Sequence, residues 1–483
     1  MSAIDLSTFI KAYDVRGLVE TQLTEPVCRA LGASFARVIV LPDGHQQMVI
    51  GHDMRDSSPA LTAAFAQGVR SAGVDVVHIG LCATDQLYFA SGTLACPGAM
   101  ITASHNPAAY NGIKMCRSHA VPLGSDTGLR LVRDVAQWML DRGDLHPPSV
   151  SGGPEVTGTL VARDVLGDYA AYLHSLVDLE GIRPLRVVVD AGNGMGGLTA
   201  PAVLSPLAPI DMIGLYLELD GTFPNHEANP LEPGNIADLQ QAVREHRADL
   251  GLAFDGDADR CFVVDERGEP VTASTITALV AAREIATEVR AGVPATDVTI
   301  VYNTISSRAV PETVLALGAQ AVAAKVGHSY VKAEMAAHDA VFGGEHSGHY
   351  YFRDFWRADT GMLAALHVLA ALGGAPDSVT MSRLAAPYDP YVHSGEINST
   401  VGDVAAAAAA VLVWGSAKPG VVASERDGVM LSKDGQDGHF WTVSVRASNT
   451  EPLLRLNVES DEESTMVQVR DEVLAVIVST VTS

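Results

Sequence analysis

Apolar residues fall into short runs bounded by Gly, Pro, Asp and Asn, and between those runs they recur at helical spacing. This texture predicts strands alternating with amphipathic helices. Over residues 48–79 the order is an apolar strand (M-V-I-G-H-D), a helix over 57–72 opened by Ser-Ser-Pro, and a second strand (D-V-V-H-I). The order returns over 185–218, where R-V-V-V-D leads through a Gly-rich turn and a helix to I-G-L-Y-L-E. It returns again over 298–325, as V-T-I-V-Y, a helix ending near Leu317, and Q-A-V-A-A-K. Three βαβ segments predict three related α/β domains with mixed or parallel sheets. After Gly373-Gly374-Ala375-Pro376 the pattern changes to strands at 391–397, 429–431, 440–446 and 453–458 with two helices between them, a smaller antiparallel α+β domain. Turn-rich stretches at 144–158 and 373–389, with a break near 255–260, place the expected domains at residues 1–152, 153–258, 259–376 and 377–483.

Composition narrows the function classes. With 47% apolar and 18% charged residues over 483 positions, the chain is a multidomain globular protein and not a disordered one. It carries 32 Lys and Arg against 57 Asp and Glu, a net charge of -25, which argues against nucleic acid and anionic membranes as partners unless a local basic pocket is hidden in the fold. The longest apolar run, 404–414, is mostly alanine and far short of the roughly 20 residues of a bilayer span. The first residues lack the basic start of a secretory signal, and Cys28, Cys82, Cys96, Cys116 and Cys261 are scattered. The expectation is a cytoplasmic protein with reduced thiols, without disulfides or structural zinc.

Four polar loops interrupt the apolar pattern. T-A-S-H-N-P offers a hydroxyl nucleophile, Ser104, beside the titratable His105, in an Asn-Pro turn expected to expose both, with Lys114 following in N-G-I-K. D-G-D-A-D-R sets Asp255, Asp257 and Asp259 at alternate positions, and three carboxylates with small residues between them can converge on one hard cation. Together with Glu266 they match positions of an EF-hand loop, but Arg260 stands where that loop needs glycine and the flanks read as strands. In G-G-E-H-S-G-H, Glu345, Ser347 and His349 share a face if the segment is extended, where they could bond vicinal hydroxyls; K-V-G-H-S contributes Lys325, Gly327 and His328. R-A-S-N-T-E-P, with Arg446, Ser448, Asn449 and Thr450, is suited to cradle a phosphate dianion. Gly192, Gly194 and Gly197, with Glu218 further on, also satisfy a dinucleotide fingerprint, but such an oxidoreductase gives no use for the other loops, and a close-packing βα turn explains the glycines.

In this order and spacing, together with Y-D-V-R-G at 13–17, the loops resemble the α-D-phosphohexomutase superfamily, most of all its phosphomannomutase/phosphoglucomutase branch. The resemblance covers nearly the whole chain. It implies four domains around a central cleft, three α/β with mixed sheets and a smaller C-terminal α+β domain. It implies interconversion of hexose 1-phosphate and 6-phosphate, of mannose and also glucose, through a phosphoserine and a hexose 1,6-bisphosphate. Ser104 would carry the phosphoryl group, and Mg²⁺ would be held by Asp255, Asp257, Asp259 and that phosphoserine. Arg16, His105, Lys114, Arg260 and His328 are similar to the cationic and acid/base groups of the family's reaction centre. Tyr13, Arg260, Lys325 and Gly327 correspond to substrate-binding positions, Glu345, Ser347 and His349 to the sugar-hydroxyl readers, and Arg446, Ser448, Asn449 and Thr450 to the distal phosphate clamp. Glucose or mannose 1,6-bisphosphate is the implied activator, sugar phosphates are the implied partners, and the implied state is a monomer or homodimer. Asn303 departs from the lysine of some relatives, and His346 stands where the phosphoglucosamine branch usually has Gln. Phosphoglucosamine mutase and a metal-dependent sugar phosphatase using the same phosphoserine are the alternative activities.

Overall fold

The computed structural model describes residues 4–11, 13–144, 157–435, 439–447 and 453–480. The first sheet holds β1 (Val15–Leu18), β2 (Gln47–His52), β3 (Asp75–Leu81), β4 (Gly98–Ile101), β5 (Tyr110–Cys116) and β6 (Leu160–Ala162), in the order β1-β5-β4-β2-β3-β6. The second holds β7 (Leu185–Asp190), β8 (Ile210–Leu215), β9 (Leu250–Phe254), β10 (Cys261–Asp265) and β11 (Pro270–Val271), ordered β11-β10-β9-β7-β8. The third holds β12 (Thr299–Asn303), β13 (Gln320–Ala324), β14 (Phe342–Gly344), β15 (Tyr350–Phe352) and β16 (Ala358–Asp359), ordered β13-β12-β14-β15-β16.

One unit is thus used three times. Its first three strands pair in parallel, as β7 does with β8 and β9, and their runs are apolar because both faces are covered: Val187, Val188 and Val189 are fully buried. The chain then turns back in an antiparallel hairpin, β4–β5, β9–β10 or β14–β15. The three units share one continuous hydrophobic core, which includes Val49 and Met100, Val187 and Leu252, and Ile300 and Phe342.

The last sheet is antiparallel throughout: β17 (Val392–His393), β18 (Ile397–Thr400), β19 (Val421–Ser424), β20 (Val429–Lys433), β21 (Trp441–Ala447) and β22 (Leu453–Ser460). Its helices Val404–Ser416 and Glu463–Ser479 cover a separate core around Val443, Val445, Leu454 and Leu456. Polar contacts join it to the third unit. Glu459 accepts from Ser307 Oγ and the Arg308 N–H, and Asp427 from Thr304 Oγ1 (2.9 Å) and the Val326 N–H (2.8 Å).

The structure moves several expected boundaries. The break at 258/259 falls inside the β9–β10 hairpin, and the one at 152/153 precedes β6, which pairs with β3 in the first sheet. Past 376/377, Met381 and Ala385 pack into the shared core and not into the last domain. The strand expected at 391–397 is two strands separated at Gly395, which is left-handed with φ +68°, and β19 is an additional strand.

Candidate active site

The hairpin turns of the three repeated units are the polar loops of the sequence, and they meet. Ser104 sits in the β4–β5 connection with φ +50° and is only 3% exposed, not exposed as its turn had suggested. The β9–β10 turn covers it: a Cβ on Gly256 would lie 2.2 Å from the Ser104 carbonyl oxygen, so a glycine lets the two backbones touch. Ser104 Oγ donates to Asp255 Oδ2 at 2.7 Å and lies 3.2 Å from His105 Nδ1 and 3.4 Å from Arg260 Nη2. Arg260 also grips Asp255 Oδ2 through Nε at 3.0 Å and Nη2 at 2.8 Å. From β5, Lys114 Nζ reaches Asp257 Oδ2 at 2.7 Å and Asp259 Oδ2 at 2.5 Å. From β1, Arg16 donates to the Ala103 carbonyl at 2.6 Å and to Asn106 Oδ1, which ties it to the Ser104 loop.

The β14–β15 turn closes on the same place. The Cys261 N–H donates to the Gly348 carbonyl at 3.2 Å, and His349 Nε2 lies 3.7 Å from Asp259 Oδ1. The segment is a tight turn and not extended, since the Glu345 N–H donates to the His349 carbonyl and the Gly348 N–H to that of Glu345. The turn still gathers its three side chains: Ser347 Oγ is 3.3 Å from Glu345 Oε2 and 2.9 Å from His349 Nδ1. Glu345 also accepts from Tyr351 Oη at 3.1 Å and from the Gly327 N–H at 2.9 Å, where Gly327 turns with φ +128°. His328 begins the helix His328–Ala337 and stands edge-on to Tyr13, with ring centroids 4.7 Å apart. Lys325 is exposed beyond the end of β13. Arg446 on β21 places Nε 3.8 Å from Asp427 Oδ1, and through Asp427 it faces residues 304 and 326 of the third unit. Ser448, Asn449 and Thr450 lie outside the described residues.

Asp255, Asp257 and Asp259 bring ligand atoms within 4.8 Å of one another. Asp257 Oδ1 and Asp259 Oδ1 are buried without a hydrogen-bond donor among the described residues, although a buried carboxylate oxygen ordinarily has one. A divalent cation is the partner this donor set fits.

Four family models match the chain in succession. They describe phosphoglucomutase/phosphomannomutase alpha/beta/alpha domains I, II and III over residues 8–140, 168–268 and 274–391, and the C-terminal domain over 396–476. The chain belongs to the phosphoglucomutase/phosphomannomutase family. It is 37% identical over 464 residues to a protein of Xanthomonas campestris pv. campestris named phosphohexose mutases, covering 96% of this chain and 97% of that one. A phosphomannomutase of Vibrio cholerae serotype O1 is 34% identical over 477 residues, 98% of each chain. The crystal structure of a phosphoglucomutase/phosphomannomutase family protein from Burkholderia thailandensis superimposes with a TM-score of 0.84 at 27% identity, over 98% of this chain and 97% of that one. The fold class and the phosphohexose mutase activity read from the sequence both stand.

So many charges at the heart of a phosphohexomutase are tolerated because they interleave. Burial opposes the charge on Lys114, yet Asp257 and Asp259 hold its pKa above the ordinary value. Burial likewise pushes Asp257 up, and Lys114 and the Thr84 hydroxyl outweigh it, so this carboxylate lies below the usual range. Burial, reinforced by Arg260 and Arg16, holds His105 well below 6.5 and therefore neutral, and burial with Lys332 takes His328 down to about 3.

Several contributing residues escaped the sequence reading. Arg55, 2% exposed, donates to the carbonyls of Ser104 (2.8 Å), Asn106 (2.6 Å), Pro107 and Tyr110 (both 3.0 Å). Thr84 binds Asp257. Lys332 pairs with Asp359 at 2.5 Å and lies 4.3 Å above the Tyr88 ring. The G-H-D-M-R-D stretch did carry a usable signal, since charges at the end of an apolar strand mark the other loops as well.

Proposed function

We propose that the protein interconverts hexose 1-phosphate and hexose 6-phosphate, with mannose and also glucose as the sugar, and that Ser104 carries the phosphoryl group. The observation behind this reading is the Ser104 hydroxyl held between Asp255, His105 and Arg260 where two hairpin turns touch, with Lys114 and Arg16 alongside. Phosphoryl transfer is mostly positioning and charge stabilisation, and this arrangement supplies both. In the reaction the bond between phosphorus and Ser104 Oγ breaks as a bond forms to the free 1- or 6-hydroxyl of the sugar, whose proton leaves to a base of the cleft. Arg16, Lys114 and Arg260 face the equatorial oxygens. The resulting hexose 1,6-bisphosphate turns over, and its other phosphoryl group returns to Ser104. Asp255, Asp257 and Asp259, with a phosphoryl oxygen on Ser104, would hold Mg²⁺, which when bound supplies Lewis-acid stabilisation of the transferring group.

Glu345, Ser347 and His349 read the sugar hydroxyls, Tyr13, Lys325 and Gly327 contribute to substrate binding, and His328 belongs with the acid/base groups of the reaction centre. Arg446, with Ser448, Asn449 and Thr450, holds whichever phosphate is not reacting. Glucose or mannose 1,6-bisphosphate restores the phosphoserine when it is lost. The cytoplasm is the working compartment we infer, and the five free, buried cysteines accord with it. The sugar loop and the distal phosphate clamp count against the phosphatase alternative, since a phosphatase must admit water to the phosphoenzyme and needs neither.

Incubation with mannose 1-phosphate, Mg²⁺ and a trace of bisphosphate tests the reading. It should yield mannose 6-phosphate and no free phosphate, and Ser104→Ala should lose nearly all turnover together with the mass increment of one phosphate. Near-normal turnover in that variant would refute the mechanism.

A further inference from the structure

The helix Thr84–Thr93 begins directly behind the acidic loop. Thr84 is fully buried and makes two bonds to one residue: its N–H donates to the Asp257 carbonyl at 3.0 Å, and its hydroxyl to Asp257 Oδ2 at 2.5 Å. The same oxygen takes Lys114 Nζ at 2.7 Å. Two donors on Oδ2 fix the rotation of the carboxylate, and the other oxygen is left buried without a hydrogen-bond donor. The two donors are not equivalent. Lys114 sits on a flexible four-carbon stem and is shared with Asp259, whereas the Thr84 hydroxyl stands on a β-branched Cβ whose own backbone is already bound to the loop.

The next residue explains what keeps Thr84 in place. Asp85, also fully buried, accepts at Oδ2 from Tyr169 Oη (2.6 Å) and from Thr360 Oγ1 (2.7 Å). Tyr169 lies in the helix Leu166–Leu176 of the second unit, and Thr360 caps the helix Gly361–Gly373 of the third. Gln86 closes the turn by accepting from the Ala83 N–H at 2.8 Å. The first turn of one helix is therefore pinned to all three repeated units, and its leading residue holds one carboxylate of the acidic triad.

We propose that Thr84 is a positioning residue for metal binding: it orients Asp257 so that Oδ1 faces the ion, and Asp85, held by Tyr169 and Thr360, anchors it. The proposal rests on the reading of the acidic triad as the metal site. Partners of this kind behind a metal ligand typically contribute ten- to a hundredfold in affinity.

Calorimetric titration of Mg²⁺ into the full-length protein and its variants tests it, with melting temperatures and turnover of mannose 1-phosphate measured in parallel. Thr84→Val keeps the shape and removes the hydroxyl, so it should weaken Mg²⁺ binding by about ten- to a hundredfold, with turnover recovering as Mg²⁺ is raised. Thr84→Ser should restore near-native affinity. Tyr169→Phe, far from the ion, should weaken binding in the same direction by a smaller factor. A purely structural role would lower the melting temperature or turnover and leave the Mg²⁺ affinity where it was. Unchanged affinity in a folded Thr84→Val protein, or a Thr84→Ser protein as weak as Thr84→Val, overturns the proposal. Absence of Mg²⁺ binding by the unaltered protein overturns instead the reading of the triad on which the proposal stands.

Discussion

Arg55 uses all five of its N–H donors on the protein itself, one on Asp53 and four on the carbonyls of the Ser104 connection. A planar five-donor fork can bond four carbonyls of an irregular loop at once, which a lysine cannot. Arg55→Met should cost about 3–5 kcal/mol, because it leaves the buried Asp53 without its ionic partner, and turnover should fall as the loop relaxes. Denaturant unfolding and steady-state kinetics on one preparation would measure both effects. A second residue gives the fold a pH dependence. His367 is buried against Phe352, ring centroids 5.2 Å apart, and burial with Arg283 lowers it from the ordinary 6.5 to about 3. The folded state keeps this ring neutral and the unfolded chain protonates it below about pH 6.5, so its contribution is intact above that pH and declines by about 1.4 kcal/mol per unit toward pH 3. Glu284, 3.4 Å from His367 Nε2 and raised by burial to about 7, works in the opposite sense over the same range, so His367→Phe should make urea unfolding less sensitive to falling pH between pH 7 and pH 4, and Glu284→Gln more so. Ser104, Arg260 and the three aspartates could be read from sequence because their types and spacing announce chemistry. The charged end of G-H-D-M-R-D marks Arg55 as a loop residue, but its role, like that of Thr84, lies in bonds to residues 49 and 173 positions away, which no local pattern encodes.

The β4–β5, β9–β10 and β14–β15 hairpins bring their turns to one point, and at Gly256 there is no room for a Cβ beside the Ser104 carbonyl oxygen. Gly256→Ala should part the two turns, since backbone cannot yield as a side-chain tip can. The expected outcome is a folded protein with turnover reduced at least a hundredfold, on the scale that a misplacement of about 1 Å costs, and circular dichroism beside kinetics would check it. An alanine variant with native turnover would show that the turns tolerate separation. The parallel strands were readable because continuous apolar runs between turn residues are a local signal. The hairpin returns were less so. D-G-D-A-D-R has the polarity of a boundary, and only the pairing of Cys261 with Phe254 shows that one sheet continues through it. β19 has one half-buried residue followed by three exposed ones and so lacks the alternation that marks a strand.

Three units share one core beside smaller ones of their own, while the last domain's core is separate and meets the rest through polar contacts at Glu459, Asp427 and Arg308. A polar seam between two separate cores transmits little cooperativity, so calorimetric unfolding should show two transitions. Charge reversal at Glu459 should lower the transition of the C-terminal domain and separate it further from the other; a single sharp transition that moves as a whole would contradict the division. The four-domain plan was legible in the change of texture after residue 373, but the sharing of the core was not, because contact between units is written in no single segment. That shared core also bears on how the protein is made. It joins Val49 to Met381 and Ala385, so it cannot close until the ribosome has added more than three hundred residues after its first strand. At roughly 5–20 residues per second, the growing chain presents unfinished apolar faces for tens of seconds. The cell must shield those faces for that long, and then the last domain can fold alone onto a finished body.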